Sequence, residues 1–345
     1  MNFSKSLIQW YLQNKRDLPW RNTLDPYFIW LSEIMLQQTR VAQGLPYFLR
    51  FTEAFPTVFD LAKATEEEVL KLWQGLGYYS RARNLHKTAQ QVAFDYDGVF
   101  PESYAELLKL KGIGEYTAAA IASFAYNESV PVVDGNVYRV LSRYFEVETD
   151  IASSGAKKEF MQLAAELLPA GEANLFNQAV MEFGALQCIP KNPDCTNCIF
   201  NNSCAALQKK KVTLLPIKSK KLKVKTRFFN YLVYTDEVNN TLIEKRTQKG
   251  IWHNLYEFPL LETEKEVSFE ELLDLMSNQD IKNKILEVSR FNTALIVHKL
   301  THQHLNIHFW KITVEGKLSG GTNWESVKKM PFPIVIHNFI EAERF

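Results

Sequence analysis

The sequence of 345 residues is poor in cysteine, in long apolar runs and in charge of one sign. Its four cysteines all fall within residues 188–204, whereas a disulfide framework would distribute them so as to close long loops. No run approaches the roughly 18 apolar residues that span a bilayer, and the amphipathic N-terminus is unlike a signal peptide. Hydrophobic residues make up 46%, which argues against disorder. We therefore expect a soluble protein of the cytoplasm with about two domains.

The net charge of +1 conceals an uneven distribution along the chain. Residues 1–208 carry a net charge of −5, residues 209–226 carry +8, and residues 227–345 carry −2. The basic segment is either a solvated linker or a strap that binds a polyanion, because clustered lysines release counterions from phosphate backbones. Both interpretations place a domain boundary in this segment.

The spacing of apolar residues changes at the same boundary. Helical spacing before it predicts an all-α domain over 1–208, and β-rich runs after it predict a smaller α+β domain over 227–345. The fold class is therefore multi-domain, with a Lys-rich linker over 209–226. The predicted helices are 28–36, 105–110, 117–125, 137–145, 160–168, 268–276 and 334–343, and the predicted strands are 228–234, 241–246, 291–297 and 304–314.

Two glycines, Gly112 and Gly114, separate two of the predicted helices. This spacing permits a tight hairpin, at about 105–125 with its helices, whose backbone N–H groups face outward at the start of the second helix. Such N–H groups and the helix dipole favour a phosphate. An ordinary helix–turn–helix corner is the alternative, and the motif taken alone favours it.

Two carboxylates, Glu33 and Asp134, have environments that predict opposite protonation. The helical neighbours of Glu33 are mostly apolar, and desolvation there favours the protonated form. Asp134 follows an apolar run at the start of a helix, where free N–H groups hold a carboxylate ionised. The alternatives are a partly exposed glutamate and a purely structural N-cap. Together the two residues fit glycosidic cleavage, which needs a proton donor and an anion beside the sugar.

The cysteines follow the pattern Cys188-x6-Cys195-x2-Cys198-x5-Cys204. Four thiols on one loop after a helix predict a metal site in a reducing compartment. Structural zinc sites more often use two separated Cys-x2-Cys pairs, and this loop contains one. An iron–sulfur cluster is therefore the favoured interpretation, with zinc as the alternative.

These elements, in this order and spacing, resemble the adenine DNA glycosylases (MutY type) of the helix–hairpin–helix superfamily, which also contains endonuclease III. The resemblance extends over essentially the whole chain. It is carried by 31–40, by the Gly-Leu-Gly-Tyr-Tyr-Ser-Arg-Ala-Arg segment 75–83, by 133–139 and by the cysteine spacing. It implies a base-excision repair enzyme with a [4Fe–4S] cluster in the loop 188–204. The implied substrate is duplex DNA with A:8-oxoguanine or A:G mispairs.

The resemblance also implies roles for individual residues. Glu33 would protonate N7 of an extruded adenine, Asp134 would stabilise the sugar cation, and Tyr116 and Asn136 would position and polarise these groups. Trp20, Arg21 and Gln178 would line the base pocket. Gln38, Leu76 and Tyr78 would enter the base stack, although core packing is the alternative for the last two.

The C-terminal domain resembles the Nudix-like lesion-recognition domain of these enzymes. The acidic pyrophosphatase signature is absent after Gly250, which makes nucleotide hydrolysis an unexpected activity. Leu300, Thr301 and His302 align with a loop that reads Phe-Ser-His in the family, so a hydroxyl and an imidazole are retained and the aromatic ring is lost. If 298–308 is one continuous strand, four histidines share a face, either as a DNA-facing row or, less favoured, as a metal site.

Tyr116 separates two classes of relatives. The bifunctional glycosylases have a lysine here that forms a Schiff base, which a phenol cannot do. We therefore expect a monofunctional, monomeric glycosylase in the cytoplasm, associated with the nucleoid. The alternatives are a bifunctional glycosylase/lyase that acts on oxidised pyrimidines and a non-catalytic lesion-binding module.

Overall fold

The computed structural model describes residues 2–219, 224–277 and 283–343. The predicted linker thus lies partly outside the described residues, at 220–223. The described chain forms two compact units. The first contains residues up to 64 and from 83 to 219, and the second contains residues 65–82 together with the described residues from 224 onward.

Helices account for all the regular structure of the first unit within its described residues. None of the described helices is long and apolar enough to cross a membrane. In chain order the helices are α1 (Phe3–Asn14), α2 (Pro26–Leu36), α3 (Val41–Ala54), α4 (Val58–Lys63), α5 (Glu66–Leu72), α6 (Ser80–Asp95), α7 (Tyr104–Leu107), α8 (Glu115–Tyr126), α9 (Gly135–Phe145), α10 (Ala156–Leu167), α11 (Ala173–Leu186), α12 (Ala205–Gln208), α13 (Phe269–Ser277), α14 (Trp324–Lys329) and α15 (Ile334–Ala342), with a 3₁₀ turn at Pro19–Arg21.

Local sequence determines where the helices around the site begin. The Asp25 carboxylate accepts the N–H of Tyr27 and Pro26 occupies the first turn of α2, where a missing N–H costs nothing. Gly114 caps α8, which ends at Asn127 in a left-handed conformation with φ of 56°. Asp134 caps α9. The predicted helices 28–36, 117–125 and 137–145 are therefore confirmed.

The second unit is built on a mixed five-stranded sheet. The described strands are β1 (Lys225–Thr235), β2 (Asn240–Thr241), β3 (Glu244–Lys245), β4 (Tyr256–Glu257), β5 (Leu260–Thr263), β6 (Ile285–Arg290), β7 (Ile296–Lys299), β8 (Gln303–Val314) and β9 (Thr322–Asn323). The order in the five-stranded sheet is β5-β1-β8-β6, with β7 also paired to β8; β1 and β8 run parallel, and the other pairs run antiparallel. Two short pairs, β2 with β9 and β3 with β4, lie outside this sheet.

Helix α5 and the loop after it pack with the sheet unit, although they come from the predicted all-α domain. The Glu67 carboxylate accepts from both Lys245 and Tyr256 at 2.7 Å. The Lys71 ammonium donates to the last carbonyls of α14, and the Gln74 side chain accepts the N–H of Phe332. Polar contacts far apart in sequence therefore assign residues 65–82 to this unit.

The predicted strand 291–297 is wrong for most of its length, because the structure begins β7 only at Ile296. The Asn292 side chain takes the place of strand pairing. Its Oδ1 accepts the N–H of Phe309 at 2.9 Å, and its Nδ2 donates to the carbonyl of Ile307 at 3.0 Å. A side-chain amide competes well with a sheet ladder, and apolar composition alone does not reveal this.

The prediction that four histidines share one face of a single strand is also wrong, because β7 and β8 form a hairpin. His298 lies opposite Leu305, and Lys299 lies opposite His304. Since alternate residues point to opposite faces, His298 and His304 face opposite sides of the sheet. The predicted strand 241–246 is also not continuous, because its residues fall in two separate short strands, β2 and β3.

Two lysines of the basic segment are held by acids of the first unit. Lys209 pairs with Glu146, and Lys211 pairs with both Glu146 and Glu148. Residue Ile217 also accepts the N–H of Ile151 at 3.0 Å. The described first part of the segment is thus attached to the helical unit through two of its lysines, and polyanion binding by the segment stays a prediction.

Candidate active site and metal centre

Glu33 lies in the middle of α2, and the predicted burial is confirmed because the residue is only 7% exposed. The Tyr116 hydroxyl donates a hydrogen bond of 2.8 Å to Glu33 Oε2. Burial raises the pKa of Glu33 from its ordinary 4.5 to about 7, and the charge of Asp134 adds to the increase. The hydrogen bond from Tyr116 and the charge of Arg21 act in the opposite direction. The carboxyl group is therefore close to half protonated at neutral pH.

Tyr116 follows the glycine hairpin, in the first turn of α8. Burial, together with the nearby charges of Glu33 and Asp134, raises the pKa of the phenol well above its usual value. The hydroxyl therefore stays protonated at neutral pH and donates its hydrogen bond to Glu33 Oε2. The charges of Glu33 and Asp134 both act on the phenol of Tyr116.

Asp134 is the N-cap of α9. Its Oδ1 accepts the N–H groups of Asn136 and Val137, each at 2.8 Å, and its Oδ2 accepts the Asn136 side chain at 2.7 Å. The predicted donors are present, but burial outweighs them and the pKa of Asp134 lies above its ordinary value. The ionised form that the N-cap position predicts is therefore supported by three hydrogen bonds and opposed by desolvation.

Arg21 and Glu182 form a buried ion pair beside these groups. Both terminal nitrogens of Arg21 bond the Glu182 carboxylate at 2.7 Å, and Arg16 Nε bonds it at 2.8 Å. Burial alone would raise the pKa of Glu182, but the hydrogen bonds from the two arginines lower it to about 2. Glu182 is thus a permanently ionised acceptor that is 1% exposed.

Sequence reasoning missed Glu182. The residue lies on α11 with apolar neighbours on either side, which is the same signal that identified Glu33.

Gln178, one turn earlier on α11, accepts from the Tyr11 hydroxyl at 2.9 Å, and Arg21 lies over the Tyr11 ring at 5.7 Å. Trp20 is buried and packs edge-on against Phe48.

The hairpin at Gly112 is held firmly against α6. Gly112 has φ of 87°, and a Cβ there would lie 2.9 Å from Asn84 Cβ, so the position requires glycine for two reasons. Lys111 donates its N–H to Gln91 Oε1 at 2.9 Å, and its carbonyl accepts the Thr88 hydroxyl. Gly114 and Gln38 are both exposed in the same unit.

The predicted DNA-contacting residues of the second unit are partly brought together. The Tyr78 hydroxyl is hydrogen-bonded to the Thr301 hydroxyl, across 223 positions of sequence. Tyr78 is 44% exposed, and Leu300, Thr301 and His302 lie at the turn between β7 and β8. Leu76 is 4% exposed, which favours the core-packing alternative for this residue.

The four cysteines line a recess of about 440 Å³, part of which is open to solvent, next to α9. Among the described residues, no three His, Cys, Asp or Glu side chains converge on a single metal ion. The four thiols nevertheless line this one recess, so they are the residues that could hold a metal group there.

Backbone and side-chain donors point at the cysteine sulfurs. Arg143 Nη1 donates to the sulfur of Cys188 at 3.4 Å. The backbone N–H of Phe200 donates to the sulfur of Cys198, also at 3.4 Å. Burial raises the pKa of Cys198 to about 11, so a thiolate there requires cationic partners. Donors of this kind are typical around iron–sulfur clusters.

Two buried arginines of α9, which sequence reasoning missed, tie the cysteine loop to the helices. Arg139 donates to the carbonyls of Cys188 and Gly184 at 2.7 Å and to Asn136 Oδ1 at 2.8 Å. Arg143 donates to the carbonyls of Ile189 and Pro190. Arg143 lies one helical turn from the buried Val140, and a charged residue beside such a core position is a signal that could have identified it.

Comparison with known proteins agrees with this architecture. The model of the HhH-GPD superfamily of base excision DNA repair proteins matches residues 31–169, and that of the NUDIX domain matches residues 230–342. An adenine DNA glycosylase from Buchnera aphidicola subsp. Schizaphis graminum is 35% identical over 95% of this chain and 91% of that protein.

The chain belongs to the adenine DNA glycosylase family. It is an enzyme, a DNA glycosylase of base-excision repair. The adenine DNA glycosylase of Rattus norvegicus is 44% identical over 60% of this chain and 42% of that protein. Among solved structures, a thermostable thymine-DNA glycosylase covers 60% of this chain and 95% of its own, with a TM-score of 0.56 and 31% identity. The predicted family and fold class, a helical HhH-GPD domain with a Nudix-like domain, are confirmed.

The raised pKa of Glu33 predicts a pH-dependent stability that does not require any substrate. Between pH 4.5 and 7 the folded state binds more protons than the unfolded state, so the free energy of unfolding falls as the pH rises. Over this range Glu33 should lower stability by about 3 kcal/mol, as expected for a shift of this size. Denaturant unfolding of wild type and Glu33→Gln at pH 5 and pH 7.5 measures the difference.

The variant should lose most of this slope, and its stability relative to wild type should increase at the higher pH. The exposed neighbour of Tyr116 provides the matched control, since Glu115→Gln should leave the slope unchanged. Equal slopes for wild type and Glu33→Gln would contradict the buried, proton-holding carboxyl group.

Proposed function

We propose that the protein removes adenine mispaired with 8-oxoguanine, or with guanine, from duplex DNA by extruding the adenine and hydrolysing its glycosidic bond. The observation that carries the proposal is the Glu33 carboxyl, buried, bonded to Tyr116 and with a pKa of about 7. An acid with this pKa is suited to protonate a poor leaving group at neutral pH. An extruded base is the only form of a duplex nucleotide that such a buried acid can reach.

Glu33 is proposed to protonate N7 of the adenine. Because Tyr116 donates to Oε2, the transferable proton lies on Oε1. Glu33 has one such donor, whereas Asp134 has three, so the negative charge of the pair belongs on Asp134. An ionised Asp134 then stabilises the positive charge that develops on the sugar as the bond to the base breaks.

Arg21, Trp20 and Gln178 are proposed to form the base pocket, and Asn136 to hold Asp134 in place. The ionised Glu182 supports this arrangement because it fixes the Arg21 guanidinium through two hydrogen bonds. Because Arg16 and Arg21 already donate to both Glu182 oxygens, the carboxylate is proposed to orient Arg21 rather than to contact the base itself.

Contacts with DNA are proposed for both units. Gln38, Gly112 and Gly114 belong to the first unit, where the backbone N–H groups at the start of α8 suit a phosphate. In the second unit, Tyr78 and the turn of Leu300, Thr301 and His302 are proposed to read the base opposite the adenine. The hydrogen bond between Tyr78 and Thr301 supports a joint role for the two hydroxyls.

A [4Fe–4S] cluster is proposed as the group held by Cys188, Cys195, Cys198 and Cys204. When bound, it would supply the positive charge that buried thiolates need, and it would fasten the loop to α9. The donors from Arg143 and Phe200 would act on the sulfurs of Cys188 and Cys198. Function as a monomer in the cytoplasm, near the nucleoid, completes the proposal.

Replacing Glu33 by glutamine should abolish most adenine excision. Loss of acid assistance lowers the rate by about 10²- to 10⁴-fold. The measurement is a single-turnover assay on a duplex with A opposite 8-oxoguanine, with alkali added to reveal abasic sites. In wild type the rate should fall as the pH rises through about 7, because the acid loses its proton. Glu115→Gln is the control, and near wild-type activity of Glu33→Gln would refute the assigned acid.

Wild-type enzyme should leave an intact abasic strand before alkali is added. A Schiff base needs a primary amine, and Tyr116 supplies only a phenolic oxygen. Borohydride added during the reaction should therefore trap almost no protein–DNA adduct, with a bifunctional glycosylase as the positive control. A strong trapped adduct would favour the alternative of a bifunctional enzyme.

Purified protein should show a visible absorption band near 400 nm, roughly where thiolate–iron charge transfer lies. The band should diminish in Cys198→Ser, which removes one ligand, and should persist in Ser203→Ala as a control outside the ligand set. Iron and sulfide should each be present at about four atoms per chain, the composition of a cubane cluster. A colourless protein with one zinc ion would contradict this assignment.

A further inference from the structure

The segment that leads into Asp134 is extended but pairs with no strand in the described chain. Two of its backbone groups are nevertheless hydrogen-bonded, and Val132 is buried. The N–H of Val132 donates to Asn177 Oδ1 at 3.0 Å, and the carbonyl of Val130 accepts from Asn177 Nδ2 at 2.8 Å. One side-chain amide thus supplies the two hydrogen bonds that a neighbouring strand would otherwise make.

Asn177 is itself fixed in orientation. It lies in the middle of α11, is 0% exposed, and donates a further hydrogen bond of 2.9 Å to the hydroxyl of Ser123 on α8. Both amide protons and the carbonyl oxygen are therefore engaged, so reversing the amide would place like groups against each other. The amide cannot rotate without leaving buried backbone groups without partners.

Helix α11 contacts the chain around Asp134 at a second point. Gly184 packs so closely against Asn136 that a Cβ at Gly184 would lie 3.1 Å from the Asn136 Cα and 3.0 Å from its carbonyl oxygen. Asn177 is hydrogen-bonded to the chain two residues before Asp134, and Gly184 packs against the chain two residues after it. Two residues of α11 thus contact the chain on either side of Asp134.

We propose that Asn177 is a positioning residue for Asp134. It acts on the reaction by fixing the backbone register of residues 130–132, and therefore the place of the Asp134 carboxylate, without touching the substrate. The proposal rests on the catalytic role proposed for Asp134. It does not depend on which base is opposite the adenine.

Two substitutions test it. Asn177→Ala removes all three hydrogen bonds, and Asn177→Asp keeps the volume and the bond to Val132 but loses both donors. A displacement of about 1 Å at a reacting group costs on the order of 100-fold in rate, so we expect a loss of this size for Asn177→Ala and a smaller loss for Asn177→Asp. Affinity for a duplex with an uncleavable adenosine analogue should change by less than about threefold, because Asn177 makes no contact with DNA.

Matched controls separate positioning from general destabilisation. Asn230→Ala removes an equally buried amide in the other unit, where it bonds Leu261, Thr263 and Trp310. It should lower the melting temperature comparably with Asn177→Ala and leave the single-turnover rate near that of wild type. Ser123→Ala removes one bond of Asn177 and neither backbone bond, so its rate should also be near wild type.

Amide hydrogen exchange gives a readout that does not depend on activity. Exchange in the peptide that contains residues 130–137 should be about tenfold faster in Asn177→Ala than in wild type, and unchanged in Asn230→Ala. If excision fails in wild type, the proposed function is refuted while the exchange result still decides whether Asn177 holds the segment. The positioning role is overturned if exchange is unchanged, or if Asn177→Ala reacts at the rate of Asn230→Ala while Asp134→Asn is inactive.

Discussion

The hydrogen bond between Tyr116 and Glu33 is the interaction on which the candidate site depends. A carboxyl group that is 7% exposed is costly as an isolated anion, so burial shifts its titration toward the neutral form. The single donor from Tyr116 orients the group without ionising it. Because the phenol comes from α8 and the acid from α2, the bond also fixes the two helices against each other. Acid strength and helix packing are thus determined by the same contact.

Helix α11 organises the rest of the first unit around that contact. One face carries Glu182, which neutralises two arginines, and another carries Asn177 and Gly184, which border the chain around Asp134. Its C-terminus leads directly into the cysteine loop, where Arg139 and Arg143 of α9 bind the loop carbonyls. The cysteine loop is therefore connected through α9 and α11 to the helices that carry Asp134 and Glu182.

The second unit contains a piece of chain that the sequence order assigns elsewhere. Glu67, Lys71 and Gln74 make polar contacts with the sheet unit, and these contacts hold the loop that ends at Tyr78. Tyr78 and Thr301 can then share a hydrogen bond although one comes from the predicted glycosylase domain and the other from the Nudix-like domain. A boundary based on the linear order of helices and strands does not represent this exchange.

Much of the site could be predicted from the sequence because its signals are local. The apolar neighbours of Glu33, the N-cap position of Asp134, the paired glycines and the spacing of four cysteines each depend on a few adjacent residues. The family and the two-domain fold class followed from the same patterns and agree with the comparisons. Local signals suffice here because helix periodicity and capping are properties of neighbouring residues.

Tertiary structure alone decided the features that depend on burial and on distant partners. Burial raises the pKa of Asp134 against the hydrogen bonds that the N-cap position predicts, since desolvation is a property of the surrounding fold. Tertiary structure replaced a predicted strand by the hydrogen bonds of Asn292, and it revealed Glu182 and Asn177 as partners of groups up to 166 positions away. A sequence states which polar groups must be satisfied, but only the folded chain determines which groups meet, because long-range pairing depends on the packing of the whole unit.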